Sequence, residues 1–478
     1  MIKNYPQISK IGTTTLLFII IALFFGLIFV KEVPLFWNLD ESAHFSRAYQ
    51  ISEGHFLAQK LPDSNYGDYV PAGIVQLHVA VHQDLGAVMG GEVLHRHDLQ
   101  HEARQKSIAR QSINQPKKEP FDFPGSGAYS PLPYVAPAAG ILTCRVANCS
   151  LGDTVLLARI FGLIAYIGVV AFAIWLLRAK KIRWLVFVVA LLPISIFQAA
   201  AVSADGPIIA LSLLLFAVLM KALSDKKLST PLIVLLAIVA TYIPLIKSTY
   251  GLLDLSILPV VMIIFKDKKK MLMYVGVSAL VIAVLTLGWL YLARGPSKAV
   301  GTLQASDPAT HSYVSIRRQS TFVLHKPFGA IQTLGRTWML DEAYWVYSTT
   351  GEFALNAVQV PLSAAVFAYL MLVAAVFYAR NELVRLKRSV LFLGLVSVLT
   401  ALGILGTLYL TYTPAGSPVI DGVQGRYFVP LMPFFFVAVA AVIPAKVLML
   451  PKTAAILFSA SSCVLLFSGA LYYGLATY

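Results

Sequence analysis

Charged residues and cysteines are both scarce in this chain. Of its 478 residues only 13% are charged and 58% are hydrophobic, whereas a soluble globular domain carries about 25% charged residues. A chain of this composition cannot cover a surface that faces water, so it needs lipid around it. The three cysteines form neither a disulfide framework nor a metal-ligand spacing. The sequence also lacks the P-loop, H-E-x-x-H and G-x-S-x-G motifs, which argues against nucleotide-driven transport and the common hydrolase chemistries.

The formal net charge is nevertheless +15, which by itself could indicate nucleic-acid binding. The Lys and Arg residues instead lie in short clusters between apolar runs of roughly 18–24 residues, each long enough to cross a hydrocarbon layer of about 30 Å. Basic clusters of this kind mark the cytoplasmic loops of membrane proteins. We therefore predict membrane lipid as a partner and no nucleic acid.

The basic clusters predict an all-α polytopic membrane protein with about 11 transmembrane helices. Lys3 and Lys10 place the N-terminus in the cytoplasm. The apolar run after them is interpreted as a signal anchor, because no small-residue cleavage site follows it. The C-terminus then lies on the outer side. The predicted spans are residues 13–30, 154–177, 184–202, 207–223, 231–246, 250–265, 271–293, 355–379, 389–411, 427–445 and 453–475.

This topology divides the chain into five parts. They are residues 1–30 (N-terminus and first span), 31–153 (first outer loop with interfacial helices and an acidic motif), 154–293 (spans 2–7), 294–354 (second outer loop) and 355–478 (spans 8–11). Residues 131–149 are apolar, but a crossing there would place the basic cluster Arg178–Arg183 outside, so we predict an interfacial or re-entrant helix. Cys144 and Cys149 then lie on the oxidising side, where a disulfide and two free thiols are equally compatible with the sequence.

The two long outer loops are where chemistry is expected. The first contains the i, i+4 pairs His78/His82 and His97/His101, a spacing that can bind zinc, but no Glu lies within either pair and we favour solvated histidines. Aromatic rings of the second loop can stack on a sugar or form an interfacial belt. The aromatic and acidic candidates in this loop are Trp338, Asp341, Glu342, Tyr344, Trp345 and Tyr347.

Directly after the first predicted span, acidic and basic residues gather on one predicted helix. Asp40, His44 and Arg47 share one face at i, i+4 and i+7, with Glu41 beside it. Two carboxylates, an imidazole and a guanidinium therefore meet at the outer surface. A purely structural interpretation is equally open. Asp40 can be an N-cap, Glu41 can complement the helix dipole, and Arg47 can pair with one of them.

The Asp40-Glu41 pair resembles the signature of the GT-C superfamily of membrane glycosyltransferases, which use lipid-phosphate-linked sugars as donors. The run from Asp40 to Gln50 is more closely similar to the opening element of a large uncharacterised family of bacterial GT-C-like membrane proteins. In one departure, Asn356 stands where that family more often has Asp, which puts a catalytic role of this position in doubt. Three further stretches match the family in the same order: Ser203–Gly206, Lys247–Tyr250 and Gly422–Tyr427.

The resemblance implies an inverting glycosyltransferase on the periplasmic face of a bacterial inner membrane. It would transfer a sugar from a polyprenyl-phosphate (undecaprenyl-type) donor to a cell-surface glycan or a lipid-linked acceptor. In that assignment Asp40 or Glu41 is the catalytic base and His44 orients it. The expected ligands of the donor phosphate are Arg47, Lys247, Gln424, Arg426 and Tyr427. Further candidates are Asp205, Tyr250, Trp338, Asp341 and Glu342.

Several of these assignments have alternatives. Lys247 and Arg426 lie at predicted span ends, where basic side chains commonly reach for the interface without a ligand. Asp205 can be a loop carboxylate before the helix start at Gly206. Gly425 is expected to let the backbone approach the lipid headgroup closely.

Cofactors and rival functions complete the expectations. Because the protein's own cations can neutralise a phosphate, we predict no metal site and no obligatory cofactor, although a divalent cation is compatible with the sequence. One rival function is a transporter or flippase of lipid-linked saccharide, and another is a glycan polymerase or ligase. The lack of an internal repeat and the acidic, aromatic outer loops favour the transferase.

Overall fold

Helices make up most of the chain. The computed structural model describes residues 11–38, 40–63, 65–89, 99–264, 267–303, 314–353, 358–444 and 454–477. Several helices in these ranges are long and apolar enough to cross a membrane. The chain is therefore a multi-pass membrane protein built mainly of helices.

Residues 31–153, predicted to be the first outer loop, fold in their described part into a small domain of helices around a three-stranded antiparallel sheet, called here the outer domain. After α1 (Thr13–Glu32), its elements are α2 (Glu41–Ser52), β1 (Gln59–Lys60), β2 (Tyr66–Pro71), α3 (Ala72–Met89), α4 (Leu99–Ala109), β3 (Lys118–Asp122), α5 (Pro124–Gly127), a 3-10 helix (Leu132–Tyr134) and α6 (Val135–Ala147). The strand order is β1-β2-β3, with Asp68 opposite Phe121. The sequence predicted no strand here, because β2 contains Gly67, Asp68 and Pro71, types that are rare in strands.

The membrane helices and the second outer loop follow. Residues 151–303 form α7 (Leu151–Leu176), α8 (Arg183–Ala190), α9 (Pro193–Ala199), α10 (Asp205–Asp225), α11 (Thr230–Ile246), a 3-10 helix (Ser248–Ile257), α12 (Leu258–Ile264), α13 (Lys268–Leu292) and α14 (Arg294–Leu303). Residues 316–477 form α15 (Ile316–His325), α16 (Pro327–Ser348), β4 (Glu352–Phe353), β5 (Val358–Gln359), α17 (Leu362–Tyr378), α18 (Arg380–Val384), α19 (Lys387–Thr411), a 3-10 helix (Gly425–Leu431), α20 (Met432–Val442) and α21 (Ala454–Thr477).

The count of eleven spans is not confirmed, because only 7 helices in the described ranges have the length and hydropathy of a span. These are α1, α7, α10, α13, α19, the continuous stretch Gly425–Val442, and α21. The predicted span 184–202 is broken into α8 and α9 at Pro193, whose ring cannot continue a helix. The predicted spans 231–246, 250–265 and 355–379 are shorter apolar helices.

The apolar segment 131–149 contains the short helix α6, which packs against the following helix, α7. α6 has 13 residues, about 20 Å of helix, which is too short to cross about 30 Å by itself. It packs closely along α7, where a Cβ on Gly140 would lie 2.8 Å from the carbonyl oxygen of Leu157. Of the two states open for Cys144 and Cys149, this structure has two free thiols.

α10 is the most deeply buried of the seven long apolar helices, with 83% of its apolar stretch inside the protein. It is apolar around its whole circumference, which is typical of a helix surrounded by others. α7, α8, α11 and the 3-10 helix Gly425–Leu431 pack around it. Its first residue, Asp205, is therefore held in the interior of the protein at the end of the helix bundle.

Candidate functional site

A cavity of about 650 Å³ lies between the outer domain and the membrane helices. Four segments far apart in sequence meet there: the start of α2, residues 122–129, residues 247–250 and residues 422–427. The end of α19 adds an apolar wall that includes Ile404 and Leu408. The polar side chains lining the cavity include Asp40, His44, His78, Asp122, Ser126, Tyr129, Lys247, Thr249, Tyr250, Gln424 and Tyr427.

Asp40 occupies the N-cap position of α2, but its carboxylate does not cap the helix. Its backbone has φ 59° and ψ 10°, a left-handed conformation that Asp adopts more readily than most residues. Its side chain accepts no capping hydrogen bond within the described part of the chain, and it is exposed and lines the cavity. Backbone strain of this kind costs roughly 1–3 kcal/mol and clusters at functional sites. The Asp40 carboxylate is thus available to a ligand.

His44 follows Asp40 by one helical turn and also lines the cavity. Its Nδ1 lies 2.6 Å from the hydroxyl oxygen of Tyr134, and its ring stacks on Tyr129 with centroids 6.2 Å apart. Desolvation by the surrounding protein lowers the pKa of His44 to about 4, against the opposing charges of Asp40 and Asp205. The imidazole is therefore neutral near pH 7 and can exchange hydrogen bonds without adding a charge.

A cluster of two cations and one carboxylate lies beside the cavity. Lys247 Nζ pairs with Asp205 Oδ1, and Arg426 Nε lies 3.1 Å from Asp205 Oδ2. Lys247 reaches the cavity with its Nζ 5.0 Å from the ring centroid of Tyr427 and 5.7 Å from that of Tyr129. Because one carboxylate balances only one of the two cations, the cluster offers about one unit of positive charge to an anion.

Three further candidate residues, Tyr250, Gln424 and Tyr427, line the cavity near this cluster. Tyr250 donates a hydrogen bond to the backbone oxygen of Tyr427 over 2.7 Å, which ties the 247–250 segment to the 422–427 segment. Gln424 precedes the 3-10 helix Gly425–Leu431 and lines the cavity with Tyr427. Asp205 and Arg426 lie just outside the lining and act on it through Lys247.

Glu41 does not reach the cavity. It is fully buried in a bidentate pair with Arg159, whose Nε and Nη2 lie 2.7 and 2.5 Å from the two carboxylate oxygens. The backbone N–H of Val202 donates to the same carboxylate over 3.1 Å. This geometry removes Glu41 as an alternative base, because its oxygens are occupied and shielded. It gives Glu41 the structural role of anchoring α2.

Arg47 is also turned away from the cavity, contrary to the predicted shared face. Its guanidinium is fully buried and donates to the side chain of Gln50, to the backbone oxygen of Phe56 over 2.8 Å and to that of Tyr129 over 3.3 Å. Asp40 precedes the helix in a left-handed conformation, so the i, i+7 relation that would align it with Arg47 does not hold. Arg47 therefore positions the wall that carries Tyr129.

The second-loop candidates lie on α16, away from the cavity lining. Trp338 is exposed and meets Trp345 edge to face at 5.8 Å, while Glu342 is exposed and Asp341 is half-buried.

Gly425 does not line the cavity, contrary to the expectation that its backbone approaches the lipid headgroup. A Cβ at this position would lie 2.3 Å from Ser348 Oγ at the end of α16, so its small size serves helix packing. Asn356 lies outside the described residues.

The histidine pairs form no metal centre among the described residues, where no group of three or more His, Cys, Asp or Glu could hold an ion. The rings of His78 and His82 are 3.9 Å apart between centroids, and His78 Nδ1 lies 2.8 Å from Ser42 Oγ. Desolvation lowers the pKa of His78 to about 4, so this ring is neutral as well. His97 lies outside the described residues, and the side chain of His101 is not described.

The sequence analysis missed several residues that line the cavity, and it missed Arg159, which lies outside the cavity and holds Glu41. Tyr129, His78 and Asp122 line the cavity, and nothing in the local sequence distinguishes them from other polar loop residues. Arg159 did carry a signal. It is a single charged residue inside the apolar run of α7, and charges at membrane depth are costly and usually have a partner.

Comparison with known proteins gives a match to a protein family. No curated protein and no solved structure matches the chain. The family described as predicted membrane protein, DUF2142, matches residues 23–435. That range covers most of the chain and contains every cavity-lining residue named above. The chain therefore belongs to the DUF2142 family of predicted membrane proteins.

Proposed function

We propose that the protein is a GT-C-type membrane glycosyltransferase that moves a sugar from a polyprenyl-phosphate donor to a glycan or a lipid-linked acceptor. One observation carries the proposal: the same cavity is lined by the carboxylate of Asp40, which makes no helix-capping hydrogen bond, and by the ammonium group of Lys247. Transfer from a sugar phosphate needs a base for the acceptor hydroxyl and a cation for the leaving phosphate. The cavity volume of about 650 Å³ also suits a small-molecule site.

The transfer can be written with these groups. The acceptor oxygen attacks the anomeric carbon, the bond from that carbon to the phosphate oxygen breaks, and Asp40 takes up the hydroxyl proton. The leaving group is polyprenyl phosphate, whose new negative charge interacts with Lys247. Attack from the face opposite the phosphate inverts the anomeric carbon. A positioned carboxylate base contributes about 10²–10⁴-fold to such a step.

The cation cluster supports a phosphate-linked donor. Asp205 balances one of the charges of Lys247 and Arg426, so about one positive charge of the cluster remains beside the cavity. We assign this charge to the leaving phosphate and the Asp40 carboxylate, which lines the same cavity, to the acceptor hydroxyl.

The proposed location is a bacterial inner membrane with the cavity on the periplasmic side. Its support is the positive-inside distribution of Lys and Arg, and the broken or short helices α8–α9, α11, α12 and α17 would complete the eleven crossings. Single cysteines can test this in a chain whose native cysteines are replaced. Ser107→Cys on α4 should react with an impermeant thiol reagent added outside, and Lys227→Cys should react only after permeabilisation. The opposite labelling would reverse the orientation.

The function is tested with Asp40→Asn. Membranes containing this variant receive radiolabelled polyprenyl-phosphate sugars, and both sugar transfer and polyprenyl-phosphate release are measured at matched protein level. We expect a loss of about 10²–10⁴-fold, because Asn keeps the shape but cannot take a proton. Asp63→Asn, an exposed acid of the outer domain, is the matched control.

Two outcomes contradict the proposal. Wild-type transfer by Asp40→Asn would remove Asp40 as the base. Movement of the intact donor across the membrane without release of polyprenyl phosphate would identify a transporter or flippase instead.

A further inference from the structure

α16 has two faces of opposite character. One face packs on the protein through Thr333, Thr337, Trp345 and Ser348, all of which are buried. The other face carries large apolar side chains that nothing in the described chain covers. Its residues are Phe328, Ile331, Trp338, Met339 and Val346, with Phe328 79% and Met339 77% exposed. At 100° per residue these five positions fall within a stripe about 100° wide on the side away from the packed face, with the exposed Glu342 inside the stripe and Leu340, 71% exposed, outside it.

Basic side chains occur on α15, between α15 and α16, and on α16 itself. Arg317, Arg318, Lys326 and Arg336 are all exposed, and within the described ranges none of them forms a salt bridge. α15 adds Leu324, which is 78% exposed. The exposed apolar stripe of α16, Leu324 and these four cations together form one surface, called here the α15–α16 surface.

The α15–α16 surface lies at the end of a long apolar helix. Trp345 packs in one cluster with Leu405 and Tyr409, which are close to the end of α19 at Thr411. α15 also contacts α19. α16 is not a span itself, because it contains Arg336, Asp341 and Glu342 and lacks the hydropathy of one.

We propose that the α15–α16 surface lies on the outer leaflet, with its apolar stripe in the interface and its four cations on anionic phospholipid headgroups. An apolar stripe with flanking Lys and Arg is the pattern of a helix that lies in the membrane plane. The cations decide the occupant, since Lys and Arg near an anionic leaflet are attracted to it, whereas a zwitterionic lipid or an uncharged protein face would not use them. The choice of the outer leaflet rests on the proposed orientation, and the contact with lipid does not depend on the proposed transfer activity.

Lipid contact at this surface would also affect the cavity. The backbone N–H of Gly425 donates to Ser348 Oγ over 2.8 Å, and that of Ile420 donates to Thr337 Oγ1 over 2.9 Å. Both acceptors lie on the packed face of α16. The segment they hold contains Gln424 and Tyr427, which line the cavity. Anchoring α16 on lipid therefore steadies one wall of the site.

The test uses single cysteines carrying an environment-sensitive fluorophore, in a chain whose native cysteines are replaced. Phe328→Cys and Met339→Cys report the α15–α16 surface. Ser107→Cys, on the polar helix α4, reports water, and Leu280→Cys, on α13, reports lipid. Each protein is reconstituted in vesicles of phosphatidylcholine with or without phosphatidylglycerol, and emission and quenching by bromine-labelled lipid are measured.

We expect Phe328→Cys and Met339→Cys to show emission between that of the water and lipid controls, with quenching that increases several-fold when phosphatidylglycerol is present. Replacing Arg317, Arg318 and Lys326 together by Gln should abolish this increase. These side chains are exposed, so the unfolding temperature should not change.

Two results would overturn the inference. Emission equal to that of Ser107→Cys in both vesicle types would show that the surface does not contact lipid. A shift that depends on protein density in the membrane and not on lipid charge would show that another protein copy covers the stripe.

Discussion

Two clusters of buried charge lie where the outer domain meets the membrane helices, and they are built differently. In the first, the Glu41 carboxylate faces Arg159, both side chains are completely buried, and every guanidinium nitrogen has a partner in Glu41 or in the backbone oxygens at the end of α1. In the second, the Asp205 carboxylate faces both Lys247 and Arg426, and Lys247 opens onto the cavity.

The difference separates a structural ion pair from the cluster that we propose binds the donor phosphate. Arg159 joins Glu41 to the backbone oxygens of Val30, Val33 and Pro34, so it fixes α2 to the end of α1 and leaves no charge unbalanced. The cluster around Asp205 has one more cation than carboxylates, and its Lys247 lines the cavity. A buried charge alone therefore does not indicate a binding site, and the proposal rests on the charge that reaches the cavity.

The largest expected effect comes from breaking the structural pair. Arg159→Ala leaves the Glu41 carboxylate buried without a counter-charge, which should lower the free energy of unfolding by about 3–5 kcal/mol. The measurement is thermal unfolding in detergent, together with the yield of monodisperse protein. Arg110→Ala, an exposed arginine of the outer domain, is the control.

A second variant keeps this prediction open to contradiction. Glu41→Leu combined with Arg159→Met replaces the pair with apolar groups of similar volume and should recover part of the stability, because no charge is left buried although several backbone groups lose their side-chain partner. If Arg159→Ala alone unfolds at the wild-type temperature, the pair does not hold α2 and the contrast between the two clusters fails.

Lys247→Ala should have the opposite profile, with folding retained and binding lost. Asp205 still pairs with Arg426 in this variant, so no carboxylate is orphaned. A charge-assisted hydrogen bond contributes on the order of 1.5–3 kcal/mol, so donor affinity should fall about ten- to a hundred-fold. The apparent KM for the polyprenyl-phosphate sugar measures this, with the exposed Lys226→Ala as control. An unchanged KM would exclude Lys247 from the donor site.

Arg426→Lys should have a smaller effect. The structure has Arg426 behind Lys247, in contact with Asp205 through Nε, so a lysine preserves the charge that Lys247 and Asp205 experience. We expect donor affinity to fall by less than about tenfold, within the range of one neutral hydrogen bond. A loss as large as that of Lys247→Ala would mean that the guanidinium fork itself grips the phosphate.

From the sequence we predicted which distant residues lie together better than we predicted the direction of individual side chains. Asp40, Lys247, Gln424 and Tyr427 were assigned to one site by motif order, and all four line the cavity. The roles of Glu41 and Arg47 could not be predicted from helix spacing. The left-handed Asp40 begins α2 in a direction that turns both side chains inward.

Long-range pairing and helix breaks were the other limits of the sequence. Arg159 lies 118 positions from Glu41, and no local pattern connects them. By contrast, the break between α8 and α9 was visible in the sequence as Pro193, which removes a backbone donor from the middle of the predicted span. Apolar length alone therefore did not show that this predicted span is broken into two helices.

The smallest expected effect is the pH dependence of protein stability that comes from His44, which lines the cavity. Burial lowers the pKa of His44 from 6.5 to about 4. Between these values the unfolded chain binds a proton that the folded protein does not, so this ring's stabilising contribution is complete above pH 6.5 and is lost as the pH falls toward 4. The unfolding temperature of His44→Gln, whose side chain cannot titrate, should therefore fall less between pH 7 and pH 5 than that of the wild type.

The control is His325→Gln, at an exposed position, whose unfolding temperature should change with pH as that of the wild type does. Parallel pH curves for wild type and His44→Gln would mean that the ring takes up a proton in the folded protein, and the cavity would then carry a second cation below pH 6.5.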